Sequence, residues 1–267
     1  MIGASRNSLA KVSENLFSRK GDLSTLAAEL FGIASVVATE KALRQKLADS
    51  GLPVATRQGL INDIFGKKVS KDAVETLSDI ASARWSSDGD LVEAIETLGA
   101  QALFVASDKS KKLDLVADEI FNFGRLVDGS AELQMALTDP ASSPASKAGL
   151  VDKLLAKKVD ASTLSVIKYF AANLRGRRVD AVIDLLVTLA AAQQNSIVAE
   201  VRSAIELEKS QKERLEKALA KLTGKAVRIN VAVEPNVIGG ISVRIGQEII
   251  DGTFATRLEQ ARRSLLA

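Results

Sequence analysis

The chain contains no cysteine and no histidine. Without cysteine there is no disulfide framework, no thiol nucleophile and no thiolate metal site. Without histidine the usual general base at neutral pH is missing, and most zinc ligand sets go with it. Acid and base roles would fall to carboxylates or lysines, and these lie mostly at helix caps and on polar helix faces. Aromatic residues make up only 4% of the 267 residues and there are four prolines. Cores must therefore be aliphatic, as in packed helices. No stretch reaches the roughly 20 apolar residues that a membrane-spanning helix needs. Even 181–192 is broken by Asp184 and gives way to Gln193. The opening residues, MIGASRNSLAKVSENLF, lack the apolar centre of a secretory signal. A soluble cytoplasmic chain with no direct membrane insertion is expected.

Thirty-six basic residues against thirty-three acidic ones leave a net charge of +3. Lysine and glutamate are interspersed as on solvated helix faces, so nucleic acid is not an expected partner. A length of 267 residues suffices for two domains or three small ones, and hydrophobic residues, at 46%, are enough to fill real cores.

Shifting the sequence by 90 residues against itself exposes a duplication. Seventeen of the seventy-three positions from Leu23 to Ile95 are identical to those from Leu113 to Leu185. Chance agreement from ordinary composition is roughly 5 to 7%. The matches include Phe31 with Phe121, Leu43 with Leu133, Leu47 with Leu137, and Lys67, Lys68 and Val69 with Lys157, Lys158 and Val159. The apolar register persists where identity is lost: Leu23, Leu26, Leu30 and Ile33 correspond to Leu113, Val116, Ile120 and Phe123. Steps of three and four residues put each set on one helical stripe.

Each copy reads as a bundle of short helices. The spacing predicts helices over 8–17, 22–38, 41–49, 54–65, 71–83 and 91–106, with Asp22 as an N-cap and turns at Asp49 to Pro53. The second copy repeats the plan, opening with the helix over 91–106, where Leu103 and Phe104 echo Leu16 and Phe17. The two bundles then meet near residue 95, through one continuous helix. After residue 190 come an alternating strand over 197–202, a helix over 209–222 with Leu215, Leu219 and Leu222 inward, and a second strand over 227–233. A hairpin over 241–250 and a last helix carrying Leu258, Ala261 and Leu265 follow. The expected fold class is mainly α: two tandem six-helix-type bundles, residues 1–94 and 95–195, followed by a small C-terminal α/β unit, 196–267.

Several tempting sites fail on spacing. Thr223, Gly224 and Lys225 would need a glycine where Leu219 stands to make a phosphate loop, so Gly224 is read as a helix stop. No helix opens after Gly239, Gly240 or Gly246, so they fit no dinucleotide fingerprint. Arg175, Arg177 and Arg178 form the densest basic cluster, read as charge complementing a helix C-terminus or as a dock for an acidic segment. Trp85 at the matching corner reads as partial core.

The C-terminal run is the most specific stretch. In AVRINVAVEPNVIGGISVRIGQEIIDGTFATRLEQARRSLLA, paired glycines precede one strand of a hairpin, and Asp251, Gly252 and Thr253 convert strand to helix. This pattern resembles the C-terminal signature of the delta subunit of F-type ATP synthase, a family that includes the mitochondrial oligomycin-sensitivity-conferring protein. The residues carrying the resemblance are Gly239, Gly240, Gly246, Asp251, Gly252 and Thr253. Glu234 and Thr253 replace an aspartate and a serine common in the family, with the chemistry preserved. Residues 95–267 cover an ordinary delta subunit, and the first 94 form an extra copy, similar to what actinobacterial delta proteins show.

The resemblance implies a non-catalytic stator subunit, without cofactor or metal, that joins the catalytic head to the peripheral stalk and resists rotor torque. It implies a peripheral place at the cytoplasmic face of the cell membrane. Implied partners are the N-terminal helices of alpha subunits, gripped by an N-terminal bundle, and b-type stalk subunits, held by the C-terminal unit. Leu103, Phe104, Ile167, Phe170 and Ala171 match the groove-forming helices. Ile241, Val243, Ile250, Leu258 and Leu265 are the corresponding stalk contacts. The alternative is a helical adaptor whose α/β unit binds RNA or a signalling partner, which would need a basic, aromatic-bearing strand face. The strands offer only Arg202 and Arg228, with no aromatic.

Overall fold

The computed structural model describes residues 1, 3–17, 19, 21–194, 196–223, 226–234, 240–245 and 248–251. Helices α1 (Ala4–Phe17), α2 (Leu23–Thr39), α3 (Lys41–Ala48), α4 (Val54–Phe65), α5 (Lys71–Ser82) and α6 (Asp88–Lys109) follow the first copy of the duplication. Helices α7 (Leu113–Asp128), α8 (Ala131–Thr138), α9 (Pro144–Leu155), α10 (Ala161–Ala172) and α11 (Val179–Gln193) complete the second. The chain divides into two compact units, 1–186 and 187–267, with the boundary inside α11. Both helical repeats therefore lie mainly within the first unit.

The helices begin where capping chemistry is available. The Asp22 carboxylate accepts from the Ser24 N–H at 3.0 Å, and the Ser70, Ser130, Ser143 and Asp160 side chains do the same for α5, α8, α9 and α10. Each such cap is worth about 1 kcal/mol. The stripes expected from the register are buried in both copies: Leu23, Leu26, Leu30 and Ile33 in one, Leu113, Val116, Ile120 and Phe123 in the other.

Two local devices recur ninety residues apart. The Glu29 carboxylate accepts from the Ser70 N–H and hydroxyl, tying α2 to the start of α5. Glu119 accepts from the Asp160 N–H and the Thr163 hydroxyl, tying α7 to the start of α10. Asp49 and Asp139 likewise close equivalent turns by accepting from the Gly51 and Ala141 N–H groups at 2.8 and 2.9 Å.

Helix α6 is the common wall. It packs against α1, α2, α3 and α5 on one side of the duplication and against α7 and α10 on the other. Its residues from Leu91 to Val105 are buried around almost the whole circumference. Among the described residues no single helix is long and apolar enough to cross a membrane. The bent pair α2 and α3 passes by composition alone, and the apolar stripe of α2 is buried within the bundle.

The second unit carries strands β1 (Ser196–Ser203), β2 (Ala226–Val233), β3 (Ile241–Ile245) and β4 (Glu248–Asp251), with helix α12 (Lys209–Thr223) between the first two. The sheet order is β2-β1-β3-β4. Strand β1 runs parallel to β2, which requires a crossover, and α12 supplies it. Strands β3 and β4 form the expected hairpin, and β3 lies antiparallel to β1. Val201 sits between Val231 and Val243 across the ladders, and Ala199, Val201, Val227, Ile229 and Val243 pack on Leu219 of α12. Leu222 differs from expectation, being 75% exposed. The sheet core reaches Leu215, Leu219 and Ala220 but not the final turn of the helix.

Candidate docking surfaces and the clamp between the repeats

Glu96 stands in the middle of α6 with no solvent exposure. A buried carboxylate needs partners, and three side chains converge on it. The Tyr169 hydroxyl on α10 donates to Oε1 at 2.8 Å. Arg177 approaches Oε2 at 3.1 Å and Arg175 pairs with the same oxygen. Both arginines come from the turn after α10, where Arg175 and Gly176 have φ of 49° and 77°. Arg177 is braced there by donating to the Leu174 and Asn173 carbonyls at 2.9 and 2.8 Å, and its guanidinium lies 5.6 Å from the centre of the Phe170 ring. Burial pushes the Glu96 carboxyl above the usual carboxylate range, while Arg177, Arg175 and the Tyr169 hydroxyl pull it back. The Tyr169 phenol is pushed up by burial first and by the Glu96 charge second.

One turn further along α6, Gly99 makes room for an aromatic ring. A Cβ there would lie 2.8 Å from Cε1 of Phe31 on α2. Phe31 stacks on Tyr169 with ring centroids 4.3 Å apart and planes 14° from parallel. It also meets Phe170 edge-on at 6.0 Å. An aromatic residue of the first repeat is thus seated against α6 and α10 of the second.

The sequence-predicted groove residues Leu103, Phe104, Ile167, Phe170 and Ala171 are 0 to 5% exposed. They form closed core, with Phe31 lying over Phe170. The basic cluster is spent internally: Arg175 and Arg177 on Glu96, and Arg178 on Asp180. The helix-C-terminus reading describes Arg177 in part, since it also donates to the Asn173 and Leu174 carbonyls at the end of α10, while Arg175 and Arg177 are drawn to a carboxylate on another helix of the same unit. Trp85 is buried as expected, its indole N–H donating to the Ile80 carbonyl at 2.8 Å. Glu96, Gly99 and Phe31 escaped the sequence reading as a site. The sequence offered little signal, because Glu96 falls with Glu93, Thr97 and Gln101 on one helical stripe of LVEAIETLGAQALF and so reads as part of a solvated face.

In the second unit, Val243 is buried in the sheet core, and Ile241 is half-buried against it. Gly240 enters β3 at φ 81°, a conformation that favours glycine. Ile250 pairs with Val243 and Asp251 with Ser242 in the hairpin ladder. Gly239, Gly246, Gly252, Thr253, Leu258 and Leu265 lie outside the described residues. On the other face of the sheet, Arg244 pairs with Glu200 at 2.7 Å and Arg202 with Glu234 at 3.6 Å. A face of paired charges is unlike the stacking surface a single-stranded RNA needs. Exposed aliphatic residues on the helical unit include Val36, Leu115, Leu126 and Met135.

The architecture is a duplicated helical body followed by a small α/β unit. The family model for the ATP synthase delta (OSCP) subunit matches residues 95–265. ATP synthase subunit delta of Thermobifida fusca is 35% identical over 99% of this chain and 99% of its own length. Its counterpart in Nocardia farcinica is 37% identical over 99% of this chain and all of its own. Slight likeness extends to a chain of the Toxoplasma gondii mitochondrial ATP synthase hexamer, 20% identical, covering 63% of this chain and 95% of that one, with a TM-score of 0.35. The chain belongs to the ATP synthase delta (OSCP) subunit family. Since the relatives align from end to end, the first repeat, which the family model does not reach, has counterparts in them.

Proposed function

We propose that this chain is the stator subunit that joins the catalytic head of ATP synthase to its peripheral stalk and holds the head against rotor torque, so that proton flow is coupled to ATP synthesis. The observation that carries this reading is the match to ATP synthase delta subunits along the whole chain. The required property is a stiff connection, and the helical unit suits it: α6 is continuous through both repeats, and Glu96 joins α6 to α10 at its centre. No bond needs to be made or broken by the chain itself.

The finer assignment follows the same reading. The helical repeats take the N-terminal helices of alpha subunits, helix against apolar surface. The C-terminal α/β unit takes the b-type stalk subunits, with Ile241, Ile250, Leu258 and Leu265 as contacts. The three parts 1–94, 95–195 and 196–267 then serve as brace, head-binding repeat and stalk-binding unit, at the cytoplasmic face of the membrane as a peripheral member of the complex. Retention of the apolar stripe in the extra repeat supports its role as a brace. The test is reconstitution: membranes stripped of this subunit should lose firm attachment of the head and regain it, with coupled ATP synthesis, when the chain is added. A head that stays anchored without it, or turnover of a substrate by the purified chain alone, would overturn the reading. The adaptor reading would instead require RNA retained in a salt-dependent way.

A further inference from the structure

The geometry points to helix α2 of the first repeat as the resident occupant of the cleft between α6 and α10 of the second, closing that cleft to any helix from outside. Three independent features of the seat agree. Gly99 lacks the one atom that would displace the Phe31 ring. Tyr169 offers its flat face to that ring while its hydroxyl is fixed by Glu96. Phe31 is 5% exposed, as a bound ligand group would be. The other copy supplies the control. Phe121, ninety residues after Phe31, is half-buried and meets no aromatic ring among the described residues. The position matching Tyr169 is Asp79, which is paired with Arg19 at 3.0 Å. Helix α2 also packs on α5 of its own bundle, but only α10 offers it an aromatic seat among the described residues.

The consequence deepens the stator reading and rests on it: the head docks on this chain outside the α6–α10 cleft, with α2 in place throughout. Because the chain has no cysteine, a site-specific bridge can be introduced cleanly. Phe31→Cys with Tyr169→Cys in the full chain, joined by a short bismaleimide, pins α2 in its seat. Bridged and unbridged forms should bind the isolated catalytic head within about two-fold of each other. A loss of about ten-fold or more confined to the bridged form would mean that α2 must leave, overturning the inference. Should the double variant fail to fold, hydrogen exchange on the native chain gives the same answer: α2 amides keep their protection when the head binds, and deprotection there sinks the idea. Occupancy can also be read without the head. Phe31→Ala should speed exchange in α6 and α10 together while leaving α4 unchanged, and an unaltered α10 would overturn it. If the unbridged chain does not bind the head at all, the stator reading fails while this last measurement still decides occupancy.

Discussion

Glu29 and Glu119 do the same work ninety residues apart, each holding the start of its repeat's fifth helix, whereas Trp85 and Arg175 occupy the same corner and do different things. In the first repeat the corner is closed by an indole turned inward, its N–H on the Ile80 carbonyl. In the second it is closed by a guanidinium reaching back to Glu96 on α6. The features that agree are those each bundle needs to fold: the caps, the apolar stripe and the tie from second to fifth helix. The features that differ lie where one copy meets the other. Duplication kept the internal architecture, and the copies diverged at their junction.

Substitutions in matched pairs can break or sharpen that contrast. The largest effect should come from Glu96→Ala, which strands two guanidiniums and a tyrosine hydroxyl. Removing one partner of a buried ion pair costs roughly 3–5 kcal/mol. The low end, about 3 kcal/mol in chemical denaturation, is expected here because Arg175 and Arg177 are 31% and 25% exposed and can rehydrate. Gly99→Ala should come next, since its Cβ would press on the Phe31 ring. Overpacking costs about 1–3 kcal/mol, and a melt that rises would show that the ring yields freely. Glu29→Gln and Glu119→Gln should each destabilise by about 1–2 kcal/mol, the order expected when a charged acceptor on backbone N–H groups is weakened. Equal losses would confirm that the two ties are equivalent. The smallest effects, of opposite sign, belong to Gly59→Ala and Gly149→Ala. These paired glycines lie within α4 and α9 with open space where a Cβ would go. Each should gain about 0.5–1 kcal/mol.

Acid offers a further comparison, between caps and clamp. Asp22, held low first by the Thr25 hydroxyl, and Asp160, held low first by Lys112, stabilise the fold above their unfolded-state values. That stability is lost as pH falls through their folded values. Glu96 has the opposite sign. Its raised value favours the folded state below the ordinary glutamate range, and that advantage fades as pH rises through the folded value. Wild type should therefore lose stability as pH falls below about 4. Glu96→Gln should part from wild type higher on the scale, losing ground to it as pH falls from neutral towards the ordinary glutamate range of about 4.3, and below that the two should fall in parallel. Urea midpoints across the acid range would check this.

Much of the fold was legible because periodicity reports on one face at a time. The stripe through Leu23, Leu26, Leu30 and Ile33 fixed α2, alternation fixed β1 and β2, and the ninety-residue shift fixed the second bundle from the first. The candidate groove was legible only as a pattern of apolar residues on α6 and α10. That pattern cannot distinguish a surface awaiting a partner from one already covered, and Leu103, Phe104, Ile167, Phe170 and Ala171 are covered. The clamp escaped because its members are far apart in sequence, at residues 31, 96, 99, 169, 175 and 177, and each alone reads as something commonplace. Leu222 shows the converse error, where a correct heptad-like spacing ran past the end of the surface available to cover it.

Helix α6 closes one bundle and opens the next. A duplication arranged this way has no spacer to cut: trimming away either copy strips α6 of the helices that cover one of its sides. Separating the copies would lay bare apolar surface on the helix that they hold in common.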